Sequence, residues 1–385
     1  MRTLLALVLT ACALFWAPDP AAAQEPYKIG AIFSITGPGS SLGIPERDTA
    51  LMLEAELNAK GGIKGPDGKL HPVKLVIYDD ASDETKAVLA AKKLIDEDRV
   101  AAIVGTTLSG TSLAILDTVQ KAEVPMVSCA AASKIVEPAA ERKWVFKTPQ
   151  SDALIVGVLV EHLKAKGLTK VGWLNVDYAF GQLGWIEFEK GTQKVGLTVV
   201  ANEKFGQKDV DMTPQLVRVK AANPQAVVVW SIPPSASIAT KNYADLGLKA
   251  PLFQSHGVGN KAFIQLAGPA ANGVVFPAGK LLVAEQLPDS DAQKAVLLAY
   301  ARAFEAKYGS RNTFGGHAWD AIQLVVRAME RAGADRAKVR GVIEETRNFV
   351  GITGVFDFSP SEHNGLDRRA VVMIEIVDGQ WRLAK

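Results

Sequence analysis

From Tyr27 to about residue 256 the chain alternates between short apolar runs and longer segments with helical spacing of apolar residues, and this alternation most constrains its fold. "YKIGAIFSI" (27–35) reads as a buried strand, and "ERDTALMLEAELNAKGG" after it carries apolar residues at helical intervals and ends in a glycine pair. The cycle repeats through strand "HPVKLVIYDD", helix "DETKAVLAAKKLIDED", strand "VAAIVG", helix "TSLAILDTVQKAE" and strand "VPMVS". It restarts with a helix over 151–166, followed by strands 170–175, "LTVVAN" and 226–230 and a last one ending at His256, with helices 181–195, 213–222 and 235–246 between them. Such alternation builds parallel sheets with helices on both faces. Two such series, parting around Phe146–Ser151, predict an α/β protein of two doubly wound parallel-sheet lobes. The C-terminal third reads as helices followed by strands, the last pair joined by an Asp-Gly hairpin turn.

In open parallel sheets, ligands bind beyond the carboxyl ends of the strands. The segments there are "TGPGSSLG" (36–43), "GTTLSGTS" (105–112), "SCAAAS" (128–133), "VDYAFGQ" (176–182), "SIPPSAS" (231–237) and "SHGVGN" (255–260). They are small, hydroxyl-rich and nearly free of charge, which suits backbone N–H groups and hydroxyls facing a small polar ligand at helix N-termini. "GPGSSLG" has the wrong spacing for a dinucleotide fingerprint, and Pro38 removes a donor. No G-x-S-x-G or phosphate-loop motif occurs. His71, His162, His256, His317 and His363 are scattered, without metal-ligand spacing. The acidic run "YDDASDE" reads as helix-capping residues at a strand end rather than a calcium site. Neither a metal, a cofactor nor an enzymatic activity is expected.

The first 23 residues differ in kind. Arg2, the apolar run "TLLALVLTACALFWA" and "AAA" at 21–23 form the three parts of a secretory signal peptide, so the mature chain is expected to begin near Gln24 in the periplasm. "LTAC" at 9–12 resembles a lipobox, but Cys12 lies early in the apolar run, and lipidation there is the lesser expectation. Without Cys12, Cys129 has no partner for an internal disulfide. The 43 basic and 41 acidic residues nearly cancel, which argues against a nucleic-acid partner.

Taken in order, "KIGAIFSITGPGSSLG", "VDYAFGQ", "GLKAPLFQSHGVGN" and "FGGHAWDAIQLVVRAME" resemble the periplasmic solute-binding proteins of the leucine/isoleucine/valine type, which serve ATP-driven importers. The resemblance implies a type I periplasmic binding protein whose two lobes are joined by three crossing segments and close on a solute. It puts 27–147 and 278–345 in the first lobe and 148–277 and 346–385 in the second. It also implies the permease domains of a membrane transporter as partner.

The resemblance carries over to particular residues. A ligand carboxylate would be held by Ser109 and by Ala130 and Ala132, with Ser133 substituting for the hydroxyl that Ala132 lacks; Thr107 and Thr111 share the Ser109 loop, where the alternative is simple helix capping. Leu42 and Phe180 fall where relatives place aromatic contacts, with Tyr178 and Ile232 nearby. His256 stands where amino-acid binders carry an acid that pairs with the ligand's ammonium. A neutral imidazole brings no negative charge, and a buried ammonium without a partner is costly. The ligand expected is therefore a small organic acid, as in the subgroup that resembles "PAGKLLVAEQLPDSD" and binds aromatic carboxylates. Branched-chain or aliphatic amino-acid binding and a ligand-sensing receptor are the alternatives.

Overall fold

The computed structural model describes residues 24–384; the expected signal peptide and Cys12 lie outside them. Two parallel sheets are present. The first runs Val73–Asp79, Tyr27–Phe33, Ala102–Gly105, Met126–Ser128, Val145–Lys147, with every pairing parallel. The second repeats that order with Thr198–Phe205, Lys170–Val176, Ala226–Trp230, Leu252–Gln254 and Val275–Ala278. It continues antiparallel through Val372–Val377 and Gln380–Leu383, whose turn residues Asp378 and Gly379 have φ of 50° and 68°. Positive φ at both positions matches the twist of a two-residue hairpin.

In each sheet the strand order is second, first, third, fourth, fifth, so the winding reverses between the first and third strands. A crevice opens at such a reversal, beyond the strand ends. The crevices of the two lobes face one another across a cleft.

Each sheet is covered on both faces. Ile29, Ala31, Phe33 and Val104 pack under the helix Thr313–Ala332, while Ile32, Ile103 and Met126 pack under Glu84–Asp96 and Ser109–Lys121. In the second lobe Val227 and Val229 face one core, and Trp173, Val228 and Trp230 face the other. The first-lobe residues Leu42, Leu108 and Ala131 join that last core, so apolar contact spans the cleft.

Three segments cross between the lobes. Gln150 in the first donates from Nε2 to the carbonyls of Thr353 (2.9 Å) and Ala370 (3.2 Å). Asn364 in the third donates to the carbonyl of Pro149 at 2.9 Å. The boundary expected at 345/346 moves: Phe349, Phe356 and Phe358 are buried in the first-lobe core, so the third crossing follows Phe358. Phe356 stacks on Phe358 at 5.6 Å and meets Phe349 tilted at 5.9 Å, and together they cover apolar surface that the sheet and the Thr313–Ala332 helix would otherwise expose.

Candidate ligand-binding site

Two helices begin at the cleft in the same way. Ser40–Ala59 starts just after the first strand, and a Cβ on Gly43 would lie 2.2 Å from the carbonyl oxygen of Ser34. Ala179–Val195 starts just after Lys170–Val176, and a Cβ on Gly181 would lie 1.8 Å from the carbonyl oxygen of Val176. Only glycine lets each first turn close so tightly on its strand. The residue before each glycine, Leu42 and Phe180, then becomes a wall of the cavity.

The space between them is about 360 Å³, a figure that includes the part open to solvent. From the first lobe it is lined by Leu42, Thr107, Leu108, Ser109, Cys129, Ala130, Ala131, Phe314 and His317, and from the second by Tyr178, Phe180, Ile232, His256 and Gly257, with Pro149 from a crossing segment. Among these lining residues there is no Asp, Glu, Lys or Arg. Two helix N-termini open on it, Ser109–Lys121 and Ala179–Val195, and neither has a side-chain cap or an acidic residue in its first turn. They meet closely: a Cβ on Gly110 would lie 3.8 Å from that of Ala179. Two positive helix ends brought together favour an anion between them.

The polar groups divide into satisfied and unsatisfied. The Thr107 hydroxyl donates to the buried carboxylate of Glu46 and accepts from the Ser34 N–H at 2.9 Å, so its proton is already committed. Burial pushes the Glu46 carboxyl well above its usual range, against the lowering effect of the Thr107 bond. In contrast, the Tyr178 hydroxyl and the Nδ1 atoms of His256 and His317 are buried without a hydrogen-bond partner. Burial, with the Lys147 ammonium nearby, holds His256 down to about 3, so its ring is neutral at physiological pH. Burial likewise holds His317 well below its usual range. His256 is fixed by Ser255, whose hydroxyl donates to Ser231 O at 2.9 Å and accepts from Gly257 N. Phe180 and Trp230 meet the His256 ring edge-on at 5.6 and 5.7 Å.

The profile of the periplasmic binding protein family matches residues 26–380. The chain belongs to the periplasmic binding protein family. Among its relatives, a leucine-, isoleucine-, valine-, threonine- and alanine-binding protein of Pseudomonas aeruginosa is 26% identical over 320 residues, 82% of each chain. An extracellular ligand-binding receptor from Rhodopseudomonas palustris HaA2 superposes with a TM-score of 0.86 at 30% identity, over 94% of this chain and all of that one. The isoleucine complex of a Streptococcus pneumoniae substrate-binding protein shares the fold, with a TM-score of 0.82 at 23% identity over 94% of this chain and 99% of that one.

In this periplasmic binding protein, eight of the expected contact residues line one cavity: Leu42, Thr107, Ser109, Ala130, Tyr178, Phe180, Ile232 and His256. Three do not. Thr111 is turned into its own loop, where its hydroxyl meets Thr106 Oγ1 at 2.6 Å and donates to Leu108 O at 3.0 Å. Ala132 lies behind the wall and donates its N–H to Ser109 Oγ at 3.3 Å. Ser133 opens a short 3₁₀ turn, buried with its hydroxyl unpartnered but off the cavity. Of the lining residues that the loop motifs leave out, Phe314 and His317 are the most distant in sequence. They sit in the first turns of Thr313–Ala332, where the Thr313 N–H donates to the second-lobe carbonyl of Gly259 at 3.1 Å. In the acidic run, Asp83 caps the Glu84–Asp96 helix by accepting from Lys86 N at 2.9 Å, while Asp79 ties down the loop after the first strand by accepting from Ile35 N at 2.9 Å.

Proposed function

We propose that this chain is the periplasmic substrate-binding component of an ATP-driven importer, not an enzyme, and that it closes its two lobes on a small aromatic carboxylate of the benzoate or phenylpropanoid type. One observation carries the reading: two uncapped helix N-termini face a cavity whose walls are apolar and aromatic and bear no acidic side chain. An anionic head is stabilised there by N–H groups and helix dipoles. An amino acid would also bring an ammonium, and burying that charge unpaired is costly. Phe180, Phe314, Leu42 and Ile232 supply apolar surface for a ring. The permease domains of the importer would be the partner that receives the loaded, closed form.

The names of the relatives favour a second reading, a branched-chain amino acid as ligand. Thermal unfolding of ligand-stripped protein separates the two. A ligand at 100 times its Kd stabilises by about 2.7 kcal/mol, an easily read shift. Benzoates and cinnamates are expected to raise Tm, with leucine and valine inert. A clear shift with leucine and none with the aromatic acids would overturn the proposal.

A further inference from the structure

We infer that His317 is a ligand-specificity residue which, opposite His256, holds a hydroxyl group of the bound acid between two imidazole rings, one carried by each lobe. The inference deepens the proposed function and rests on the cavity being an aromatic-acid site. Both rings line that cavity, and both are more than nine-tenths buried. Each leaves Nδ1 with no hydrogen-bond partner. A buried polar atom without a partner is costly, and a ligand group that satisfies it is correspondingly favoured.

The chemistry narrows the group. A neutral imidazole donates through one nitrogen and accepts through the other, and either tautomer is open to a ring that nothing else pins. A hydroxyl both donates and accepts, so it can take a proton contact from one ring and give its own to the other. An unsubstituted ring edge leaves both nitrogens unsatisfied, and sites built to bond a hydroxyl discriminate strongly against ligands that lack it. The placement of the rings matters too. His317 belongs to a helix whose body is in the first lobe core, while His256 follows the Leu252–Gln254 strand of the second. The contact is complete only when the lobes are closed, so the hydroxyl is read at the step that commits the ligand.

The test compares 4-hydroxybenzoate with benzoate by calorimetry, using the wild-type chain and His317→Phe. Wild type is expected to bind the hydroxylated acid at least tenfold more tightly, and His317→Phe to bring that ratio close to one while still binding benzoate. A folded His317→Phe protein that keeps the wild-type ratio overturns the inference and leaves the aromatic-acid reading standing. If neither acid binds wild type, both fall. Imidazole ¹⁵N spectra of wild type give a readout that does not depend on the variant folding. Two ring signals should move with 4-hydroxybenzoate beyond any change that benzoate causes, and identical spectra with the two ligands would overturn the inference.

Discussion

His256 and His317 are rings that the fold keeps neutral, which makes them a source of acid sensitivity as well as a candidate contact. Unfolded, each takes up a proton near pH 6.5, whereas in the folded chain burial holds His256 down to about 3 and His317 well below its usual value. The unfolded state therefore binds more protons below pH 6.5, and folding stability must fall as pH falls from about 6.5 toward 3. His256 contributes up to about 1.4 kcal/mol per pH unit within that window, and His317 acts in the same direction. Urea unfolding of ligand-free protein at pH 7, 5.5 and 4.5 should show the decline, and His256→Phe/His317→Phe should make it shallower. Glu46, Asp152 and Asp320 are shifted the other way by burial, but they are common to both proteins and drop out of the difference. Parallel curves for the two proteins would mean that the rings are protonated as easily in the fold as outside it.

The element that joins the lobes on the first pass is the end of the Val145–Lys147 strand and the start of the Asp152–Ala165 helix. Lys147 is fully buried there, its Nζ donating to Pro149 O at 2.6 Å, and burial lowers its ammonium pKa against the pull of Asp152, Glu362 and Glu137. Asp152 is equally buried, with both carboxylate oxygens unpartnered and its pKa raised by the same desolvation. Asp152 touches no cation, but Lys147 opposes through space the rise that burial gives its pKa, so Lys147→Met is expected to raise that pKa further and to destabilise the chain in urea unfolding. Lys147→Met/Asp152→Leu should cost clearly less than the sum of the two single changes, and strict additivity would show that the pair is not coupled. This strand also marks a limit of what the sequence reveals. Long helices and the apolar runs 27–33, 170–176 and 226–230 announce themselves through period and length, and the loops after them through composition. "VFK" and "VFPA" are three and four residues long, too short for a period, yet they close the parallel part of each sheet. The hairpin Phe349–Val350/Val355–Phe356 has two residues per strand, and only packing decides which lobe its phenylalanines join. Phe314 and His317 follow no strand end; they reach the cavity because the chain returns to the first lobe and starts a helix against Gly259.

At the scale of the molecule the two lobes are in contact, and what holds them together across the cleft is modest. Thr313 N–H bonds Gly259 O, Leu42, Leu108 and Ala131 pack toward Phe180 and Ile232, and two positive helix ends face each other. Glu84 already sets a carboxylate beside the Ser109–Lys121 end from the solvent side, and an anion buried between the two ends would bind both lobes at once, so ligand should shift a hinge equilibrium toward the closed form. The approach of Gly110 to Ala179 makes this testable, because the 3.8 Å between their Cβ positions is the usual separation across a disulfide. A Cβ on Gly110 would also lie 2.5 Å from Glu84 Oε1, but Glu84 is exposed and its side chain can swing away. Cys129 should not compete, since burial raises its thiol pKa well above the usual value and leaves little thiolate. In Gly110→Cys/Ala179→Cys, benzoate is expected to speed cross-linking, because the two thiols meet only in the closed form. Protein oxidised with benzoate present should retain it through dialysis. Protein oxidised empty should take up none until a reductant opens the cross-link. If the oxidised protein exchanges benzoate as fast as the reduced one, the ligand does not enter through the cleft between the lobes.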